Sequence, residues 1–146
     1  MSKFGQLIPE KIEMLHFAIL KGGIDCPLEH TNEKVSNFEY NVDFELAYNL
    51  DELIVKTDLE IHVETKSKDQ EEATGAFHFA YWFQVDNLKE LIIKNEKEEI
   101  VSPHLGNALA SITYSTSRGI LMTRFQGTAL SNFILPITDP NELLKS

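Results

Sequence analysis

The residues that could do chemistry in this chain are five histidines, one cysteine and a surplus of carboxylates. His16, His30, His62, His78 and His104 are scattered without the short, regular spacing that gathers ligands around one metal ion, so no metal site is expected. Cys26 would need an adjacent base to act as a nucleophile, and no His or Asn is marked as its partner, which makes it a small core or edge residue. Carboxylates that work as an acid–base pair need one member buried with a raised pKa, whereas those here alternate with apolar residues and point to the wet side of strands. There is no GxSxG, glycine-rich phosphate loop, HExxH or CxxC. The expectation is a protein that is not an enzyme and carries no cofactor. What remains is an excess of aromatics, nine Phe, four Tyr and one Trp, crowded on two stretches around Phe38–Tyr48 and Phe77–Val85. Most such rings fill a core. Trp82 is out of phase with its aromatic neighbours, and an outward aromatic on a one-sided sheet suggests a binding surface.

Bulk composition narrows the class further. The 146 residues suit a single domain, spanning 1–146, that can bury a core without a staple. No apolar run is long enough to cross a bilayer, and the beginning, MSKFGQLIPEK, lacks the apolar stretch of a secretory signal. Together with a lone cysteine this points to a cytoplasmic protein. A formal charge of -10 repels phosphate backbones, so nucleic acid is excluded as a partner, and basic or positively flanked polypeptides are favoured by charge.

The elements that position these residues are mostly strands. Ile12 to Leu20 reads as a first strand that bends or bulges at Gly22 and Gly23. Strict alternation marks a second over Phe38–Tyr48, a third over Leu53–Val63 and a fourth over Phe77–Val85, with a polar corner at Asn49–Glu52 and a charged loop at Lys66–Glu72. Short links imply an antiparallel meander covered on one face. Asp86–Val101 reads as a short helix or ordered crossover. Ser102 as N-cap, Pro103 at the first helical position and Leu105, Ala108, Leu109 and Ile112 at helical spacing start a long helix, with Arg118 in its last turn and Gly119 at its end. Ala110, Ser111, Thr113, Ser115 and Ser117 keep its remaining surface small, so two helices could approach closely. Asp139-Pro140-Asn141-Glu142 caps a short C-terminal helix. The fold class is therefore α+β: a four-stranded antiparallel sheet, a long helix and a short C-terminal helix.

This order of elements, and the segments SPHLGNALASITYSTSRG, NFILPITDPNELL, Trp82-Phe83-Gln84-Val85 and Ile24-Asp25-Cys26-Pro27, resemble the SecB family of export chaperones. The resemblance implies an ATP-independent holdase that binds unfolded polypeptides, a homodimer or homotetramer built through its long helices, and delivery of secretory precursors to the SecA motor. It places Phe38, Tyr40, Trp82, Phe83, Leu121 and Met122 in a client groove, Ala110, Thr113, Tyr114 and Ser117 at the oligomer interface, and Asp25 on the SecA-contact surface. Two further positions of that surface read Lys21 and Ala76, and the chain read to Ser146 has no counterpart of the exporting members' extended tail. A SecB-like chaperone of another client, such as an antitoxin, is the alternative within the class. A hotdog-like thioesterase is the rival outside it, although there the helix normally precedes most of the sheet.

Overall fold

The computed structural model describes residues 4–30 and 35–145. In chain order it contains β1 (Ile12–Asp25), β2 (Asn37–Asn49), β3 (Ile54–Lys66), β4 (Thr74–Val85), β5 (Ile92–Lys94), β6 (Glu99–Val101), α1 (Pro103–Arg124) and α2 (Pro140–Leu144). The first four strands form one antiparallel sheet, but its order is β1-β4-β3-β2 rather than a simple meander. Strands β2, β3 and β4 are tied by short links and must be neighbours. The link from β1 to β2 is longer, which frees β1 to cross to the far side and pair with β4, as in a Greek key. There Phe17 meets the rings of Tyr81 and Phe79, with centroids 5.1 and 6.1 Å away.

Strand β1 is longer than expected, and its irregularities fall at Leu15 and Leu20, not at the glycines. Each is an extra residue with no opposite number on β4, and each is pushed into solvent. Gly22 instead serves close packing, since a Cβ there would sit 3.0 Å from the Phe77 ring.

Alternation along β3 and β4 follows the expected phase. Val55, Leu59, Ile61, Val63, Phe77, Phe79, Tyr81, Phe83 and Val85 face inward and are buried against Leu105, Leu109 and Leu121 of α1. Each fully buried side chain of this size contributes about 1.5–3 kcal/mol. Two hydroxyl pairs join helix to sheet inside this apolar layer: Thr57 Oγ1 lies 2.6 Å from Thr113 Oγ1, and the Tyr81 hydroxyl 2.8 Å from Ser117 Oγ. The opposite face of the sheet, with Lys56, Asp58, Glu60, His62, His78 and Trp82, has no covering layer among the described residues.

Three local expectations are corrected. Helix α1 runs through Gly119 to Arg124, because Leu121 and Phe125 extend the buried stripe and their burial exceeds the ~1 kcal/mol cost of a helical glycine. The left-handed turn comes at Gly127, with φ 77°, and Arg124 rather than Arg118 occupies the last turn. Residues 86–101 form a single 3-10 turn at Leu88–Glu90 and then the β5–β6 hairpin, whose turn is held by Asn95 Oδ1 accepting from the amides of Lys97 and Glu98. Both N-caps are as expected: Ser102 Oγ accepts from the Leu105 amide and Asp139 Oδ1 from the Asn141 amide.

Gly119 lies exposed inside the helix, with no atom within 4 Å of the place a Cβ would take. Gly119→Ala is expected to stabilise the chain by about 1 kcal/mol, raising Tm by about 3 °C in a thermal melt followed by circular dichroism. Gly127→Ala is expected to lower it, because alanine is strained at positive φ.

Candidate functional site

Strand β2 is an edge, paired with β3 on one side only. Its inward residues Phe38, Tyr40, Val42, Phe44, Leu46 and Tyr48 repeat every second position, yet only Phe44 is fully buried, and Tyr40 keeps 44% of its surface in solvent. Cover comes partly from the segment after α1. Phe133 packs on Phe38 and Tyr40 with ring centroids 5.4 and 5.3 Å away, and reaches the core through Phe125 and then Phe77 at 6.3 and 5.8 Å. The segment is pinned by the Tyr114 hydroxyl, which donates to the Pro136 carbonyl at 2.6 Å. Beside the other end of the strand, Phe44, Leu46, Val101, Gly106 and Leu144 line an open groove of about 500 Å³. The inner face of β2 is thus an apolar, half-covered track beside an edge whose outer backbone groups have no strand partner.

The residues expected to form one client groove do not all meet. Phe38 and Tyr40 come together with Phe133, which sequence reading missed; the only signal was its place in the apolar run NFILPI. Trp82 lies on the opposite, wet face, between the His16 ring at 5.1 Å and the Lys56 ammonium at 5.3 Å. Phe83 is 1% exposed and Leu121 2%, so both are core of the sheet–helix layer. Met122, still inside α1, points outward together with Ile112.

The expected interface residues are corrected in the same way. Ala110, Thr113, Tyr114 and Ser117 are buried within the chain, facing its own sheet and C-terminal segment, because their small or hydroxyl side chains allow close approach and find partners there. The helix face left open carries Ala108, Ile112, Ser115, Gly119 and Met122 instead. A second uncovered apolar region follows the β1 edge, where Met14, Leu15, Ile19 and Leu20 are exposed. Asp25 lies exposed at the end of β1 opposite Thr74, with Lys21 opposite His78 and Ala76 opposite Gly23.

The titratable groups form surface ladders. On the wet face His78 bridges Asp58 and Glu60 at 2.7 and 3.3 Å, and Lys56 approaches Asp58 at 3.5 Å. Among the described residues two carboxyls are displaced from their usual range, and both move down. Glu72 accepts from the Ser67 hydroxyl and amide, and Glu99 accepts from the Tyr48 hydroxyl, whose own pKa is pushed up to about 12 by that bond. A general acid needs the opposite shift. Among the described residues no three His, Cys, Asp or Glu side chains gather as a metal site, and no helix is long and apolar enough to cross a membrane.

This arrangement of sheet, long helix and short helix defines a SecB-like fold. No family model and no curated protein matches the sequence. Among solved structures, the chain is similar to the SecB-like chaperone of Mycobacterium tuberculosis in complex with a ChAD peptide from the HigA1 antitoxin. That likeness has a TM-score of 0.57 at 15% identity, over 88% of this chain and 91% of that one. A Streptococcus agalactiae protein of unknown function aligns at 10% identity over 86% and 97% of the two chains, with a TM-score of 0.38.

The hydroxyl pair that seats α1 is open to a double-mutant test. Thr113→Val leaves Thr57 buried without its partner and is expected to cost about 1–3 kcal/mol in urea unfolding, whereas the double variant with Thr57→Val should recover most of the loss.

Proposed function

We propose that this protein is an ATP-independent holdase that grips unfolded polypeptides along the inner face of β2. The observation that carries the reading is the conjunction of an edge strand, half-exposed Tyr40 and Phe38, and the Phe133 platform. An extended chain laid there can donate backbone hydrogen bonds to the strand edge and seat alternate side chains on the aromatics, a mode that is tolerant of sequence. The SecB-like fold supports the reading, as does the neighbour described in complex with a peptide. The thioesterase rival is disfavoured, because α1 follows all four strands of the sheet and the groove beside it opens to solvent.

Two apolar regions away from this track call for cover of another kind. The β1 edge and the outward face of α1 would be closed by further copies of the chain, giving a dimer or a tetramer. Work in the cytoplasm suits the lone, exposed Cys26. For the client we favour a polypeptide other than a secretory precursor destined for SecA. Lys21 stands where the SecB resemblance leads one to expect an acid, and the solved neighbour was captured with an antitoxin peptide.

Holding is tested by light scattering of an aggregating client. Suppression at stoichiometric chaperone, with a client Kd of about micromolar, is expected, and unchanged aggregation would sink the reading. Tyr40→Ala should weaken client binding about fivefold or more, while Trp82→Ala, on the far face, should leave it unaltered. Calorimetry with the C-terminal zinc-domain peptide of SecA is expected to show no binding; a saturable signal would restore the export role.

A further inference from the structure

Charge is distributed unevenly along the chain. From Ser102 to Thr138 there is no Asp or Glu, and the only two arginines of the protein, Arg118 and Arg124, both fall in that stretch. Elsewhere acids dominate and give the molecule its net charge of -10. The helix and the segment after it are therefore a cationic island in the sequence, bounded at its end by Asp139.

Neither guanidinium is spent on an ion pair. Lys56, Lys66, Lys94 and Lys145 each have a carboxylate within 4 Å, but among the described residues Arg118 and Arg124 have none. Both lie against aromatic rings instead, Arg118 at 6.0 Å from the Tyr114 centroid and Arg124 at 5.9 Å from that of Phe77. Of these rings Tyr114 borders the client platform and Phe77 belongs to the core behind it. Phe77 joins the platform through Phe125 and Phe133, and Tyr114 holds the Phe133 segment in place through Pro136. Arg118 thus stands at the border of the aromatic track, and Arg124 lies farther along the same helix, over a core ring of β4.

Arg118 also borders a concavity of about 220 Å³ whose other walls include Ser111, Ser115, Ile137, Pro140 and Leu143. That is too small for a typical small-molecule ligand but suits one apolar side chain. Away from the helix face that a second copy would close, the Ser111 hydroxyl and the Arg118 guanidinium are donors facing an apolar floor of Ile137, Pro140 and Leu143. A carboxylate one or two residues from an apolar anchor would satisfy them, and a guanidinium binds carboxylate with two parallel bonds.

We infer that the holdase groove selects polypeptide segments in which apolar or aromatic anchors are flanked by acidic residues, with Arg118 as the specificity residue and Arg124, farther along α1, adding to the positive field of the helix. This rests on the holdase reading and reverses the preference that net charge alone would set. An acidic segment is repelled by most of the surface and accepted only at the island, while a basic one is drawn to the wet face, away from the groove.

The test uses three fluorescent peptides that share one apolar core and differ only in flanks of Glu, Gln or Lys, titrated with the full chain and read by anisotropy. The Glu-flanked peptide is expected to bind about tenfold more tightly than the Lys-flanked one at low salt, with the difference shrinking as salt is added. Arg118→Gln with Arg124→Gln should abolish the preference and leave the Gln-flanked peptide unaffected; circular dichroism checks the fold of the variant. Equal or tighter binding of the Lys-flanked peptide to the unaltered protein overturns the inference without any variant, as does a preference that survives in the double variant. Failure of the Gln-flanked peptide to bind at all strikes the holdase reading itself, and the inference falls with it.

Discussion

One helix cannot cover four strands. Strands lie about 4.8 Å apart, so this sheet is wider than the roughly 10–12 Å girth of α1 with its side chains. The helix sits over the apolar faces of β3 and β4, where residues such as Leu59, Phe79 and Tyr81 are sealed, and both outer strands are left with inner faces in partial cover. Every feature with a functional reading descends from this mismatch. At β2 the deficit is made up in part by Phe133 and the segment that carries it, which leaves a track with aromatic walls. At β1 no described element makes it up, and Met14 and Ile19 stay exposed.

Seating the helix requires more than apolar area. Thr57 with Thr113 and Tyr81 with Ser117 place hydroxyl pairs within the buried layer, each satisfied only when the helix has one rotation and one height over the sheet. An all-apolar contact would tolerate sliding, whereas a buried hydroxyl left unpaired costs about 1–3 kcal/mol. The same short side chains bring backbone close to backbone, which spends the small-residue surface of α1 within the chain. The side of α1 that remains open is the one bearing Ala108, Ile112, Ser115 and Met122. Polar chemistry is kept on the far face of the sheet, where Lys56, Asp58, His78 and Glu60 form a solvent-facing ladder of ion pairs.

Much of this was legible in the residues alone. Alternation along β2, β3 and β4 told which side chains share a face, so the outward setting of Trp82 and the inward setting of Phe79 and Tyr81 followed from phase. Ser102-Pro103 and Asp139-Pro140 announced the two helix starts, because capping is a contact between residues two or three apart. The α+β class and the SecB-like likeness rested on those local facts.

Tertiary structure decided the rest, and for one reason: pairing across the chain leaves no periodic trace. Nothing local in Phe17 says that its strand lies beside β4 and not β2; the long link merely allowed it. Gly119 reads as a helix end until Leu121 and Phe125 find a core to enter, and Thr113 and Ser117 read as a surface for another helix until Thr57 and Tyr81 are seen to meet them. Phe133 becomes a wall of the groove only because Tyr40, far away in sequence, stands opposite. The sequence by itself determined which residues face together along each element; which elements face each other was set by the shared burial and hydroxyl pairing that only the folded chain can supply.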